Sequence, residues 1–265
     1  ERRNVVVDEL KKHASVEQSD VVEILKAEEL SGNVSNIKVL WITNSISCKA
    51  SRDVIYQLSS HPNIKMIGID KEIQIMSPEQ MKDIPNVKPS ATRGPAHHVV
   101  TVNADDVWSQ GYTGKNVIVA VLDSGTNTEH VDLKDHLWEG YIDTDDDDTP
   151  DKLVNGWNFT SDNENITDDY GHGTHCAGIV CGDGTSGTTA GVAPDAILMT
   201  LKTINRAGGG SVTGMLSGVQ FALENKADVL SLSLGYKHSQ LTVEQKESIR
   251  EAFDNVLAAG VVACA

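Results

Sequence analysis

Four stretches of the chain are apolar at most positions: Val117-Ile118-Val119-Ala120-Val121-Leu122, Ala196-Ile197-Leu198-Met199-Thr200-Leu201, Val229-Leu230-Ser231-Leu232-Ser233-Leu234 and Val261-Val262-Ala263-Cys264-Ala265. Short runs with little polar alternation fit strands buried on both faces, as parallel strands between two layers of helices are. Helical spacing fills the intervals, over residues 215–225 and 243–258. Strands alternating with helices predict an open, largely parallel sheet covered by helices. In such α/β folds the chemistry gathers at the carboxyl ends of the strands.

The first 77 residues read as a separate, smaller α/β unit. Val21, Val22, Leu25 and Leu30 recur at helical spacing behind Ser15-Val16-Glu17-Gln18, a capping-box pattern. Strand signals at 37–43 and 64–69 flank a short helix over 51–60. Residues 76–98 then contain Pro78, Pro85, Pro89 and Pro95, which regular elements do not accommodate. The expected organisation is a small domain over 1–77, a connector over 78–98 and a larger domain over 99–265.

Composition narrows the function classes. With 39% hydrophobic and 23% charged residues the chain is a globular protein, not a disordered one. No run approaches the roughly 20 apolar residues of a membrane-spanning helix, and Glu1-Arg2-Arg3-Asn4 carries no apolar signal region. Lacking an initiator Met, the sequence reads as a trimmed segment. The net charge of −16, almost all of it beyond residue 86, repels phosphate backbones and argues against nucleic acid as a partner. The acidity peaks in Tyr141-Ile142-Asp143-Thr144-Asp145-Asp146-Asp147-Asp148, a cation-attracting stretch or a solvated loop. Its Asp143/Asp145/Asp147 spacing imitates the start of an EF-hand, but Asp148 stands where the sharp turn wants Gly. Cys48, Cys176, Cys181 and Cys264 are too scattered for a disulfide framework and read as free thiols.

Asp123 directly follows the first apolar run, in Leu122-Asp123-Ser124-Gly125, so its carboxylate is expected at the carboxyl edge of the sheet. Downstream, Gly171-His172-Gly173-Thr174-His175-Cys176-Ala177-Gly178 turns through glycines into a small-residue helix able to pack closely. A zinc hydrolase built on His172, His175, Cys176 and Cys181 would need a ligand spacing not established for such sites. No phosphate-binding glycine pattern follows the first strand, which argues against a nucleotide-binding fold.

Taken together, Asp123-Ser124-Gly125 and His172-Gly173-Thr174-His175-Cys176-Ala177-Gly178 resemble the subtilisin-like serine proteases, and the Cys variant resembles the proteinase K branch. Gly191-Val192-Ala193-Pro194, Gly208-Gly209-Gly210-Ser211 and Ser233-Leu234-Gly235 continue the likeness in order. The resemblance implies a three-layer α/β/α domain, with Asp123 orienting His172 and His172 taking the proton of a serine. It implies a second, structural histidine at His175 and a substrate edge at Gly208, Gly209 and Gly210. Ser233, Leu234 and Gly235 would wall the specificity pocket, and Asp168 would stand beside the cleft, favouring a basic substrate residue. It further implies structural calcium, with Asp132 as a ligand beside a loop over 183–189. Residues 1–77 resemble an inhibitory, folding-assisting prodomain of ferredoxin-like α+β form, closest to the bacillopeptidase F group.

The family's Gly-Thr-Ser-Met-Ala nucleophile motif is not in the sequence. Gly184-Thr185-Ser186 copies only its first letters and reads as a loop. The sequence accordingly reads as a segment of a secreted or vesicular serine endopeptidase precursor acting on peptides and proteins. The alternative is a catalytically inactive homologue that binds or inhibits.

Overall fold

In a computed structural model of the chain, residues 2–74, 94–142, 149–235 and 240–265 are described. Two helices come first, α1 (Arg2–Glu17) and α2 (Ser19–Leu30), then β1 (Val34–Leu40), a 3-10 turn over Trp41–Thr43, β2 (Ser45–Ala50) and α3 (Arg52–Leu58). The hairpin β1/β2 is antiparallel, with a bulge between Ser35 and Lys38. Its inner face packs with Val21, Leu25, Val54 and Leu58 into a small core.

This part departs from the expectation in three places. Ser15 lies inside α1, where its hydroxyl donates to Lys12 O, so there is no capping box. Gln18, between the helices, is buried and donates to Asn44 Oδ1 at 3.0 Å instead. Residues 64–69 join no ladder. A ferredoxin-like βαββαβ unit keeps its central α-β-β-α here, but its first strand is replaced by α1, and the last strand loses the partner it would have had.

After β3 (Glu72–Gln74) and the short β4 (Gly94–Pro95), α4 (His97–Thr101) and α5 (Ala104–Ser109) lead into β5 (Ile118–Asp123). The hairpin β6 (Gly140–Ile142) and β7 (Lys152–Val154) precedes β8 (Gly156–Asn158), α6 (His172–Cys181) and β9 (Thr188–Thr189). The remaining elements are β10 (Ile197–Lys202), β11 (Gly209–Ser211), α7 (Val212–Glu224), β12 (Val229–Ser231), α8 (Val243–Ala258) and β13 (Val262–Cys264).

Five strands form one parallel sheet in the order β13-β12-β5-β10-β8. The central strand explains its own apolar run. Val119 and Val121 face α6, packing with Cys176, Ala177 and Cys181. Ala120 and Leu122 face the other side, packing with Met215, Leu216 and Val219 of α7 and Ala252 and Val256 of α8. The architecture is the three-layer α/β/α expected, and Asp123 ends its central strand. The acidic stretch 143–148 lies outside the described residues, as does the connector up to residue 93.

Candidate active site

Asp123 is the last residue of β5, 1% exposed, paired in register with Lys202 at the end of β10. Its backbone carbonyl accepts from Thr203 N and Ile204 N, which fixes the strand end. His172 opens α6 and reaches back so that Nδ1 lies 2.8 Å from Asp123 Oδ1 and 2.9 Å from Oδ2. A carboxylate only accepts, so Nδ1 carries the proton and the lone pair sits on Nε2. That is the tautomer a general base needs.

Three residues hold this pair in place. Ser124 N–H donates to Asp123 Oδ1 at 2.7 Å, Ser124 Oγ donates to Asp168 Oδ1 at 2.8 Å, and the same oxygen accepts from Gly173 N at 2.9 Å. Gly173 must be glycine, because a Cβ there would collide with Gly125 O. Lys202, buried at 4% exposure, donates Nζ to Ser124 O and to Asp169 Oδ1. Sequence reasoning passed over Ser124 and Lys202. Their only signals were a serine touching the Asp and a lysine closing an apolar run.

The Asp168 carboxylate is turned onto donors of its own chain. Its carboxylate accepts from Tyr170 N, Gly171 N, Thr174 N and Thr174 Oγ1, besides Ser124 Oγ. Burial works against ionisation, but the bonds from Thr174, Gly171 and Tyr170 outweigh it and hold the carboxyl below the ordinary value. Gly171, the residue before α6, has no side chain to cap the helix, and Asp168 supplies the acceptor. The expected preference for a basic substrate residue therefore has no free carboxylate behind it. His175 is exposed on α6.

Cys176 Sγ lies 3.8 and 3.9 Å from the ring nitrogens of His172. Burial and the Asp123 charge push its thiol up to about 11, against a smaller opposing hydrogen bond with Ser233. Asp123, His172 and Cys176 bring one ligand atom each within 4.8 Å. A metal there would have to displace a thiol proton held well above neutral pH and the Nδ1–carboxylate bond.

The expected cleft residues gather at the same sheet edge. Gly208 has φ +76°, and a Cβ on it would sit 3.3 Å from the Tyr170 ring, so this turn lies against the segment leading to His172. Gly209 and Gly210 belong to β11, which pairs antiparallel with β3: Gly209 with Gln74, Gly210 with Ile73, Ser211 with Glu72. Ser233, Leu234 and Gly235 follow β12, with Ser233 in bonding reach of Cys176.

The sequence resemblance implies structural calcium with Asp132 as a ligand. The residues around Asp132 do not fit the ion. Both carboxylate oxygens of Asp132 are taken by donors, Ser186 N at 2.5 Å and Ser186 Oγ at 2.6 Å. Asp183 accepts from Thr185 N and Thr185 Oγ1, and His136 Nε2 stands 3.3 Å from its carboxylate. Calcium wants six to eight oxygens at 2.3–2.6 Å, and this loop turns N–H and O–H groups toward the carboxylate instead. Ser186, committed to Asp132, presents no hydroxyl to His172.

A carboxylate-held imidazole thus stands at the carboxyl edge of a parallel sheet on an α/β/α scaffold, near a glycine strand that pairs with β3. Residues 114–265 match the Subtilase family, and the chain belongs to it. Among similar proteins, the major intracellular serine protease of Bacillus subtilis (strain 168) is 33% identical over 195 residues, covering 72% of this chain and 53% of that protein. Subtilisin DY of Bacillus licheniformis is 35% identical over 165 residues, 62% of this chain and 51% of its own length. Bacillopeptidase F of Bacillus subtilis (strain 168) is 29% identical over 213 residues, 79% of this chain and 15% of that protein. The chain thus spans about half the length of the first two. Relatives include proteins named extracellular as well as intracellular. Among the described residues no helix is long and apolar enough to cross a membrane.

Proposed function

We propose that this sequence belongs to a serine endopeptidase made as an inhibited precursor. Residues 1–77 act as the prodomain, processing falls within 78–98, and the serine and the oxyanion-stabilising Asn come from sequence beyond Ala265. The observation that carries the reading is the two-oxygen grip of Asp123 on His172 Nδ1, at 2.8 and 2.9 Å, which leaves Nε2 as the base. The serine hydroxyl attacks a peptide carbonyl while its proton passes to Nε2. The imidazolium, stabilised by Asp123, then returns that proton to the departing amine, and water repeats the sequence on the acyl-enzyme.

The ladder between β3 and β11 supports the inhibitory part of the proposal. An extended peptide binds such an edge through main-chain bonds, and residues 72–74 already occupy it. Export from the cell, as for the relatives named extracellular, belongs to the same proposal.

The test is labelling of the whole protein with a serine-directed fluorophosphonate. Labelling at a serine beyond Ala265, abolished by His172→Ala, is the expected result. Absence of label in a protein that still binds extended peptides would replace the peptidase with a non-catalytic binding homologue.

A further inference from the structure

The turn before β11 presents one side-chain amide in a forced orientation. Asn205 Oδ1 accepts from Ala207 N at 2.9 Å and Gly209 N at 3.1 Å, while Asn205 N donates to Gly209 O and Gly208 N to Asn205 O. With its oxygen turned inward onto two backbone donors, the amide can only offer Nδ2 outward. The group it meets is Glu72, whose Oε1 accepts from Nδ2 at 3.0 Å while its backbone stands in register with Ser211. Arg206, the next residue, is exposed and makes no ion pair among the described residues. Asn205 and Arg206 share the wall of a polar pocket with Lys202, Asn158 and Asn165.

We propose that Asn205, with the Arg206 cation beside it, selects a glutamate side chain on the peptide position facing Ser211. Glu72 fills that subsite as a substrate mimic. The inference rests on the reading of β11 as the substrate edge. A main-chain ladder is indifferent to sequence, so selectivity along it must come from side-chain donors of this kind. A carboxylate accepts from an amide more strongly than a neutral oxygen does. The resulting preference is opposite in sign to the one expected from Asp168, whose carboxylate is turned into α6.

Asn205→Asp separates recognition from turn formation, because an aspartate keeps an acceptor for Ala207 and Gly209 and replaces only the outward donor. Glu72 is exposed, so Glu72→Lys probes the contact without touching the turn. In the full chain, backbone hydrogen exchange over residues 205–211 should quicken roughly tenfold in each single variant. In the double variant Asn205→Asp/Glu72→Lys it should return to within about twofold of the parent. Unchanged exchange in both singles, or a double variant as loose as they are, overturns the assignment.

Peptide-library profiling of the whole enzyme supplies the second arm. Glu should be enriched at a single position on the amino-terminal side of the scissile bond, and Lys or Arg should replace it in Asn205→Asp. A profile flat at those positions overturns the subsite and leaves the peptidase reading standing. No cleavage at all overturns the peptidase reading, and hydrogen exchange still decides whether Asn205 holds Glu72.

Discussion

Ser124 ties the Asp123–His172 pair to the helix that carries half of it. Its amide steadies Asp123, its hydroxyl bridges Asp168 and Gly173, and its carbonyl receives Lys202. Ser124→Ala removes the hydroxyl and leaves the Gly173 N–H buried without an acceptor, a loss of about 1–3 kcal/mol in denaturant unfolding. A midpoint indistinguishable from the parent would show the bridge to be dispensable. The cysteines give a second residue-scale prediction. Cys176 and Cys181, raised to about 11 and about 12, stay protonated at neutral pH, whereas Cys264 is exposed. Iodoacetamide at pH 7.5 should modify Cys264 in the native protein and reach Cys176 and Cys181 only on unfolding, as peptide mass mapping would report. Because both buried thiols are raised above the unfolded value of 9.0, the stability they contribute is full below pH 9 and fades as pH rises past it.

At the scale of elements, α6 depends on an acceptor outside itself. Asp168 has a lowered pKa in the fold, so the unfolded chain binds its proton more tightly. Its contribution is therefore complete above the ordinary value of 3.8 and lost as pH falls through the lower, folded one. Asp168→Asn should lower stability at pH 7 by at least the ~1 kcal/mol of a lost helix cap, and should flatten the acid limb of the stability profile. The loop over 183–189 should be indifferent to chelation. EDTA is expected to leave the melting temperature of the chain unchanged, while Ser186→Ala lowers it. A drop with EDTA that calcium reverses in the parent but not in Asp132→Asn would show that Asp132 takes the ion after all.

The sheet elements were legible because burial on both faces leaves no polar positions to blur the run, as Val119 and Ala120 show by entering opposite cores. α1 was not legible. Val7, Leu10 and Ala14 do fall on one face at i, i+3 and i+7, but the stripe is thin, and the exposed apolar Val5 and Val16 on the same helix blur it. Residues 64–69 carry strand composition, but a strand needs a neighbour, and α1 occupies the sequence that would have provided one. At the site, Asp123 and His172 were legible from position and motif. The hydrogen-bonding of Asp168 was not legible, because five donors spaced along the sequence converge on its carboxylate only once the backbone turns.

Across the whole molecule one apolar cluster runs from the first residues to the last helix. Val7, Ala14, Leu40, Trp41 and Ile42 share it with Met215, Val219, Ala252 and Val256. Polar contacts trim its rim: Ile42 N donates to Gln220 Oε1 at 3.0 Å, Asn255 Nδ2 donates to Ile42 O at 2.8 Å, and Trp41 Nε1 donates to Glu224 Oε1 at 2.9 Å. Such continuity predicts a single cooperative unfolding transition, with far-UV and near-UV signals changing together. Trp41→Ala should destabilise both parts at once by about 3 kcal/mol. Separate transitions, the amino-terminal part melting first, would show that each part is stable without the shared cluster.

The antiparallel ladder between β3 and β11 has an evolutionary cost. On the proposed reading, Gly209, Gly210 and Ser211 are read both by residues 72–74 and by every incoming peptide. No mutation in that strand can tighten the grip on substrates without also tightening the brake. Selection for a faster enzyme must therefore act first on the mimic, at Glu72, where one codon can loosen restraint while the catalytic surface stays as it is.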